Sequence, residues 1–173
     1  MDKSPDRTAT RPPRSRWRRG RPAGPVDGKA PPTDNILTLI HMMSNRTGRA
    51  FYGEIEARFG VSLAEWRVLL TLAQAPRMTA NQITNRWAME KMTVSRAIRR
   101  LEAKGHIRRM RNPRDRRSYF LTLTADGHRL FEKILPRANV RYHDIVSCLD
   151  RSELTALRDG LQKLIDRTRD LSI

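Results

Sequence analysis

Between Thr79 and Leu123 the hydrophobic pattern of the chain changes once, from a helical to an alternating period, and that order leaves few folds open to it. Thr79 and Gln82 form a capping-box pattern that opens a helix from about Ala80 to Trp87. A second helix is expected from about Lys91 to Lys104, with Val94, Ala97, Ile98 and Leu101 on one face and Gly105 as its stop. Beyond Gly105 alternation takes over. Ile107 to Arg111 and Ser118 to Leu123 each suit a strand, and Asn112-Pro113-Arg114-Asp115 supplies the turn between them. Two short helices meeting across a tight turn and running into a basic β-hairpin make a winged helix-turn-helix.

The flanking sequence is helical. From Asp34, a plausible N-cap, Ile36, Ile40, Met43, Thr47, Ala50, Phe51, Ile55 and Phe59 recur at helical steps towards a stop near Gly60. Ser62 and Glu65 form a capping box before Trp66, Leu69, Leu70 and Leu72, so a helix should run to about Ala73, ahead of Pro76. Thr124 can cap a long helix through Phe131, Ile134, Ala138, Ile145 and Leu149, with a kink at Pro136. Asp150 and Glu153 then open a last helix through Leu154, Leu157, Leu161, Leu164 and Leu171. The expected class is mainly α with a small β-wing, over one folded domain, residues 34–173. Residues 1–33 hold seven prolines among arginines and little apolar beyond Trp17 and Val26; they are expected to form a disordered tail, because they cannot bury enough surface to offset chain entropy. The apolar faces of the first and last helices exceed what one small domain can bury, which predicts a homodimer.

Charge then narrows the partner. The chain carries a net charge of +17. Residues 1–33 hold nine basic and three acidic residues, and residues 86–117 hold twelve basic and three acidic, so half of the excess falls on one short folded segment. On the Lys91–Lys104 helix the face opposite Val94, Ile98 and Leu101 carries Met92, Arg96, Arg99 and Arg100. A winged helix-turn-helix inserts its second helix, N-terminal end first, into the major groove of double-stranded DNA. Arginine suits such a face because its planar fork matches guanine O6 and N7, while Thr93 and Ser95 suit phosphates or the thymine methyl, and Lys91 opens the helix. A merely solvated charged face would look similar on this helix alone; the adjoining hairpin tips the balance. Its tip gathers Arg114, Arg116 and Arg117 around Asp115, which lies two residues from Arg117, close enough to brace it for a narrow, electronegative minor groove.

These stretches resemble the MarR family of bacterial transcription regulators. The resemblance covers about Asp34 to Leu171 and is most specific at the wing, where Asp115-Arg116-Arg117-Ser118 precedes Leu121-Thr122-Leu123-Thr124. It implies a homodimer built from residues 34–60 and 124–173, a DNA-binding region at 62–123, a palindromic operator, a repressor's role, and a small-molecule effector that weakens DNA binding. Carried over, Arg117 is the minor-groove arginine and Asp115 its brace, and Thr93, Ser95 and Arg96 lie on the recognition helix. Met92 departs from the family, which often has a small hydroxyl residue there. The resemblance also implies a ligand pocket lined by His41, Ser44, Arg46 and Arg49 and by Trp66. Cations and hydroxyls beside Met42 and Met43 suit a small aromatic carboxylate; Arg46 and Arg49 also suit the wet face of a helix or a bridge across the dimer.

Other classes find little support. His41, His106, His128 and His143 are scattered without metal-ligand spacing, and there is no glycine-rich phosphate loop, so neither an enzyme nor a resident cofactor or metal is expected. Cys148 is single, which excludes an internal disulfide and fits a cytoplasmic, nucleoid-associated protein. No apolar run approaches the roughly 20 residues of a membrane span. The alternative to a sequence-specific regulator is an architectural protein that coats DNA without preference, for which the arginine-rich tail would suffice.

Overall fold

The structure is a computed structural model and describes residues 35–48, 52–113, 115 and 117–171. The expected tail, the expected cap Asp34, and Arg49, Arg114 and Arg116 lie outside the described residues. Among the described residues seven helices and two strands follow one another: α1 (Ile36–Thr47), α2 (Gly53–Phe59), α3 (Leu63–Gln74), α4 (Ala80–Trp87), α5 (Lys91–Ala103), β1 (Ile107–Arg111), β2 (Tyr119–Leu123), α6 (Ala125–Val146) and α7 (Arg151–Asp170). The chain divides into two compact units, residues 1–43 and 44–173, and α1 crosses the division. In the first unit Ile36, Leu37, Leu39, Met42 and Met43 are exposed.

Local chemistry explains most of the helix boundaries. The Ser62 and Glu65 pair, the Thr79 and Gln82 pair and the Asp150 and Glu153 pair each close a reciprocal capping box at the starts of α3, α4 and α7. Each satisfies two backbone N–H groups that the helix itself leaves without partners. At the start of α1 the cap is Asn35, whose Oδ1 accepts from the Thr38 N–H at 3.0 Å. Gly60 ends α2 in the left-handed region at φ 62°. The helix expected up to Gly60 is described as α1 and α2, with residues 49–51 between them outside the described residues; Tyr52, just before α2, keeps a right-handed helical backbone (φ −85°, ψ −23°). α6 runs through Pro136 without ending.

The core of the second unit forms where α3, α5 and the hairpin meet. Val68, Leu69 and Leu72 of α3, Ile83 of α4, Val94, Ile98 and Leu101 of α5, Ile107, Leu121 and Leu123 of the strands, and Ile134 of α6 are all buried. Trp66 stacks on Phe131 with ring centroids 5.5 Å apart, joining α3 to α6. Trp87 donates from Nε1 to Thr71 Oγ1 at 2.8 Å, which satisfies the indole N–H that burial would otherwise leave unpaired. The Arg67 guanidinium lies 5.2 Å from the centre of the Trp87 ring. Burial raises the Tyr52 hydroxyl above its ordinary value, and the nearby Arg67 charge partly opposes the shift. The hairpin is antiparallel, pairing Ile107 with Leu123, Arg109 with Leu121 and Arg111 with Tyr119. Met78 adds an isolated bridge to Leu121, a short third arm that sequence alternation did not reveal. By contrast, no residue of α1 is buried, and on α7 Leu157, Leu164, Ile165 and, just beyond it, Leu171 stand exposed.

Candidate nucleic-acid interface

Helix α5 is held at both ends by contacts within the chain. Its N-terminal end is set by the tight turn after α4, where Ala88 caps the helix in the left-handed region (φ 48°, ψ 43°) and Met89 N–H donates to Thr84 O at 3.2 Å. At the other end Lys104 Nζ donates to the Gly60 carbonyl at 2.8 Å and faces Glu65 Oε1 at 3.5 Å. Glu65 is buried, and its second carboxylate oxygen accepts the Ser62 N–H. Its charge is thus held between a helix N-terminus and a cation, both of which stabilise a buried carboxylate.

With Val94, Ala97, Ile98 and Leu101 buried, helical periodicity turns Met92, Arg96 and Arg99 outward, and all three are exposed, as are Lys91 and Arg100. Thr93 and Ser95 are half-buried at the flanks of this face. A groove of about 230 Å³ runs between α4, α5 and the hairpin and is lined by Asn81, Ser95, Arg109, Arg117 and Tyr119 among others, so Ser95 and Arg117 share one cleft. On the other side of α5, Thr93, Arg96 and Arg100 line a groove of about 220 Å³ with Ser62.

The wing is joined to this helix. Glu102 on α5 accepts from Arg109 Nε on β1, at 3.1 and 3.0 Å to its two oxygens, and Arg109 also lies 6.0 Å from the centre of the Tyr119 ring. Both partners are more than a third exposed, so the pair orients the wing more than it stabilises the fold. At the tip Asp115 does engage Arg117, but Oδ1 accepts the Arg117 backbone N–H at 2.9 Å, not the guanidinium. This is an Asx turn: a carboxylate reaches the N–H two residues on more readily than it reaches the end of a long side chain. Asn112 is buried and donates to Ser118 Oγ at 2.8 Å, and the Ser118 N–H donates to the Asp115 carbonyl at 3.1 Å. These bonds are made within the loop and leave the Arg117 side chain exposed. Asn81, Arg109 and Tyr119 were not singled out in the sequence, and Asn112 and Ser118 were read there only as turn and wing-motif residues.

Behind the wing, Thr124 ties the hairpin to α6. Its N–H donates to the His106 carbonyl at 3.0 Å, its Oγ1 donates to the Gly105 carbonyl at 2.6 Å, and the same Oγ1 accepts the Gly127 N–H. Of the residues expected to line a ligand pocket, His41 falls in the unit of residues 1–43 and is exposed, while Ser44 and Arg46 fall in the other unit and are also exposed. Trp66 is buried, with its ring on Phe131. Among the described residues no three His, Cys, Asp or Glu side chains gather as metal ligands, and no helix is long and apolar enough to cross a membrane.

Comparison with known proteins agrees with this geometry. The sequence profile of the MarR family matches residues 59–118, from the end of α2 to the wing tip. The HTH-type transcriptional regulator FarR of Neisseria gonorrhoeae is 28% identical over 100 residues, 58% of this chain and 68% of its own length. An uncharacterized protein of Mycobacterium tuberculosis is 31% identical over 111 residues, covering 64% of this chain and 77% of that protein. Among solved structures, a mutant MarR from Escherichia coli complexed with operator DNA shares the fold, with a TM-score of 0.65 at 24% identity over 73% of this chain and 90% of that one. The helix-turn-helix, the wing and these relatives together place the chain in the MarR family of winged helix-turn-helix, DNA-binding transcription regulators, which are not enzymes.

Proposed function

We propose that this chain is a repressor that binds a palindromic operator as a homodimer, and that a small ligand releases it. The observation that carries the reading is the pairing of a basic, outward-facing α5 with a wing that holds Arg117 on the same side of one lobe, since Ser95 and Arg117 share a groove. In this arrangement α5 enters the major groove by its N-terminal end, Arg96 contacts base edges, Arg100 and Lys91 contact phosphates, and Arg117 enters the adjacent minor groove. That a mutant MarR of E. coli with the same fold was crystallised in complex with operator DNA supports double-stranded DNA as the partner. The dimer is supported by the apolar side chains left exposed on α1 (Ile36, Leu37, Leu39, Met42 and Met43) and at α7 (Leu157, Leu164, Ile165 and Leu171), because a soluble chain seldom leaves so many without a partner. The effector class, a small aromatic carboxylate, rests on the sequence, through the basic and hydroxyl residues of His41–Arg49.

The test compares DNA from upstream of the chain's own gene with random DNA of equal length at physiological salt. A regulator prefers its operator by about a thousandfold or more, footprints a two-fold site, and sediments as two chains per duplex. An architectural protein shows no preference. Arg96→Ala should relax sequence preference; if it lowered affinity equally for both DNAs, base reading by Arg96 would be refuted. Benzoate-, nicotinate- and cinnamate-type acids titrated into the operator complex test the effector, and release by none of them would remove that class.

A further inference from the structure

We infer that Met92 reads the methyl group of a thymine in the major groove and so sets a base preference in each half-site. This rests on the reading of α5 as the helix that enters the groove. Met92 is 60% exposed and lies in the first turn of α5. Counted around the helix, it stands opposite the centre of the buried stripe formed by Val94, Ala97, Ile98 and Leu101, with Arg96 four residues on and Arg99 seven residues on, both on the same face. An apolar side chain therefore occupies the middle of a basic helix face, in the first turn of α5.

A thioether carries no donor and only a weak acceptor, so it has nothing to offer a phosphate or a polar base edge. The major groove presents one apolar group to such a side chain, the C5-methyl of thymine. Methionine is unbranched and adapts to the surface it meets, and the flanking arginines hold the duplex against it. Thr93 and Ser95, the other candidates for that methyl, are half-buried at the flanks of the helix face.

Uracil differs from thymine only by lacking this methyl, which makes the contact directly testable. A preferred duplex is first selected from a random pool with the full-length protein, and each thymine is then replaced in turn by deoxyuridine. Burial of one methyl contributes about 0.8 kcal/mol, or about fourfold in affinity, so one position in each half-site should show about a fourfold loss with the wild-type protein. Met92→Ala should bind the thymine and uracil duplexes alike, whereas Met92→Leu, which stays apolar, should keep the discrimination. A scan in which no thymine responds overturns the inference. So does a response that persists in Met92→Ala, with loss of the response in Thr93→Ser assigning the methyl to Thr93. A pool that yields no preferred duplex refutes the reading of α5 itself, and that result appears before any uracil is introduced.

Discussion

Gly127→Ala is the substitution whose effect on the lobe follows most directly from its packing. Gly127 is buried in the first turn of α6, and a Cβ there would stand 3.0 Å from the His106 carbonyl carbon and closer still to its oxygen. Real Cβ atoms almost never approach within 3.0 Å of another heavy atom, and the obstacle is backbone, which cannot rotate aside as a side chain would. The His106 carbonyl is also the acceptor for the Thr124 N–H, so withdrawing it breaks a bond that joins the hairpin to α6. Overpacking of this kind costs about 1–3 kcal/mol, and the broken backbone bond adds about 1 kcal/mol. A total loss of about 2–4 kcal/mol is therefore expected in urea unfolding followed by circular dichroism, with an unchanged slope. Because His106 lies where α5 passes into β1, the variant should also bind operator more weakly at temperatures where it is fully folded. An unfolding free energy within about 0.5 kcal/mol of wild type, the range of a neutral surface change, would refute the packing argument.

Other expectations concern the wing, the turn and the last helix. Arg117→Ala should weaken operator binding by about ten- to a hundredfold, the range of a charged contact in a groove, as read by fluorescence anisotropy. Because Asp115 accepts a backbone N–H, Asp115→Asn should retain wild-type affinity while Asp115→Ala lowers it about fivefold; equal losses in both would point instead to an ion pair with the guanidinium. Ala88→Gly should raise stability by about 0.5–1 kcal/mol, since Ala88 holds a left-handed conformation that glycine adopts without strain; a lower melting temperature would contradict this. The Ser152 side chain and the Glu153 N–H hold the Asp150 carboxyl below its ordinary value of 3.8. A depressed value means that this cap is complete above the ordinary carboxylate range and is lost as pH falls through the folded value, so the Ser152 and Glu153 amide resonances should shift below pH 3.8 and cease to do so in Asp150→Asn.

Much of the fold was legible because its signals are local. The three capping boxes need only two residues three apart, and each was readable as written. The stop at Gly105 and both strands of the hairpin followed from glycine placement and a change of period. What escaped depended on distance. Glu102 and Arg109 meet only because the hairpin folds back along α5, and Lys104 finds Glu65 only once α3 and α5 have packed. Nothing in either local sequence distinguishes these charges from ordinary solvated ones. At the wing tip the correct pair of residues was visible, but the sequence does not reveal which atom of Arg117 receives the bond.

The bonds that hold α5 have a mechanical consequence. Lys104 fastens one end of the helix to the corner between α2 and α3, Glu102 fastens its side to the wing, and Thr124 fastens the junction between them to α6. All three bonds gather at the C-terminal end of α5, so a push on α6 reaches that end of the helix and the base of the wing together. The lobe is thus rooted at the C-terminal end of α5, and the exposed first turns of that helix project from the root.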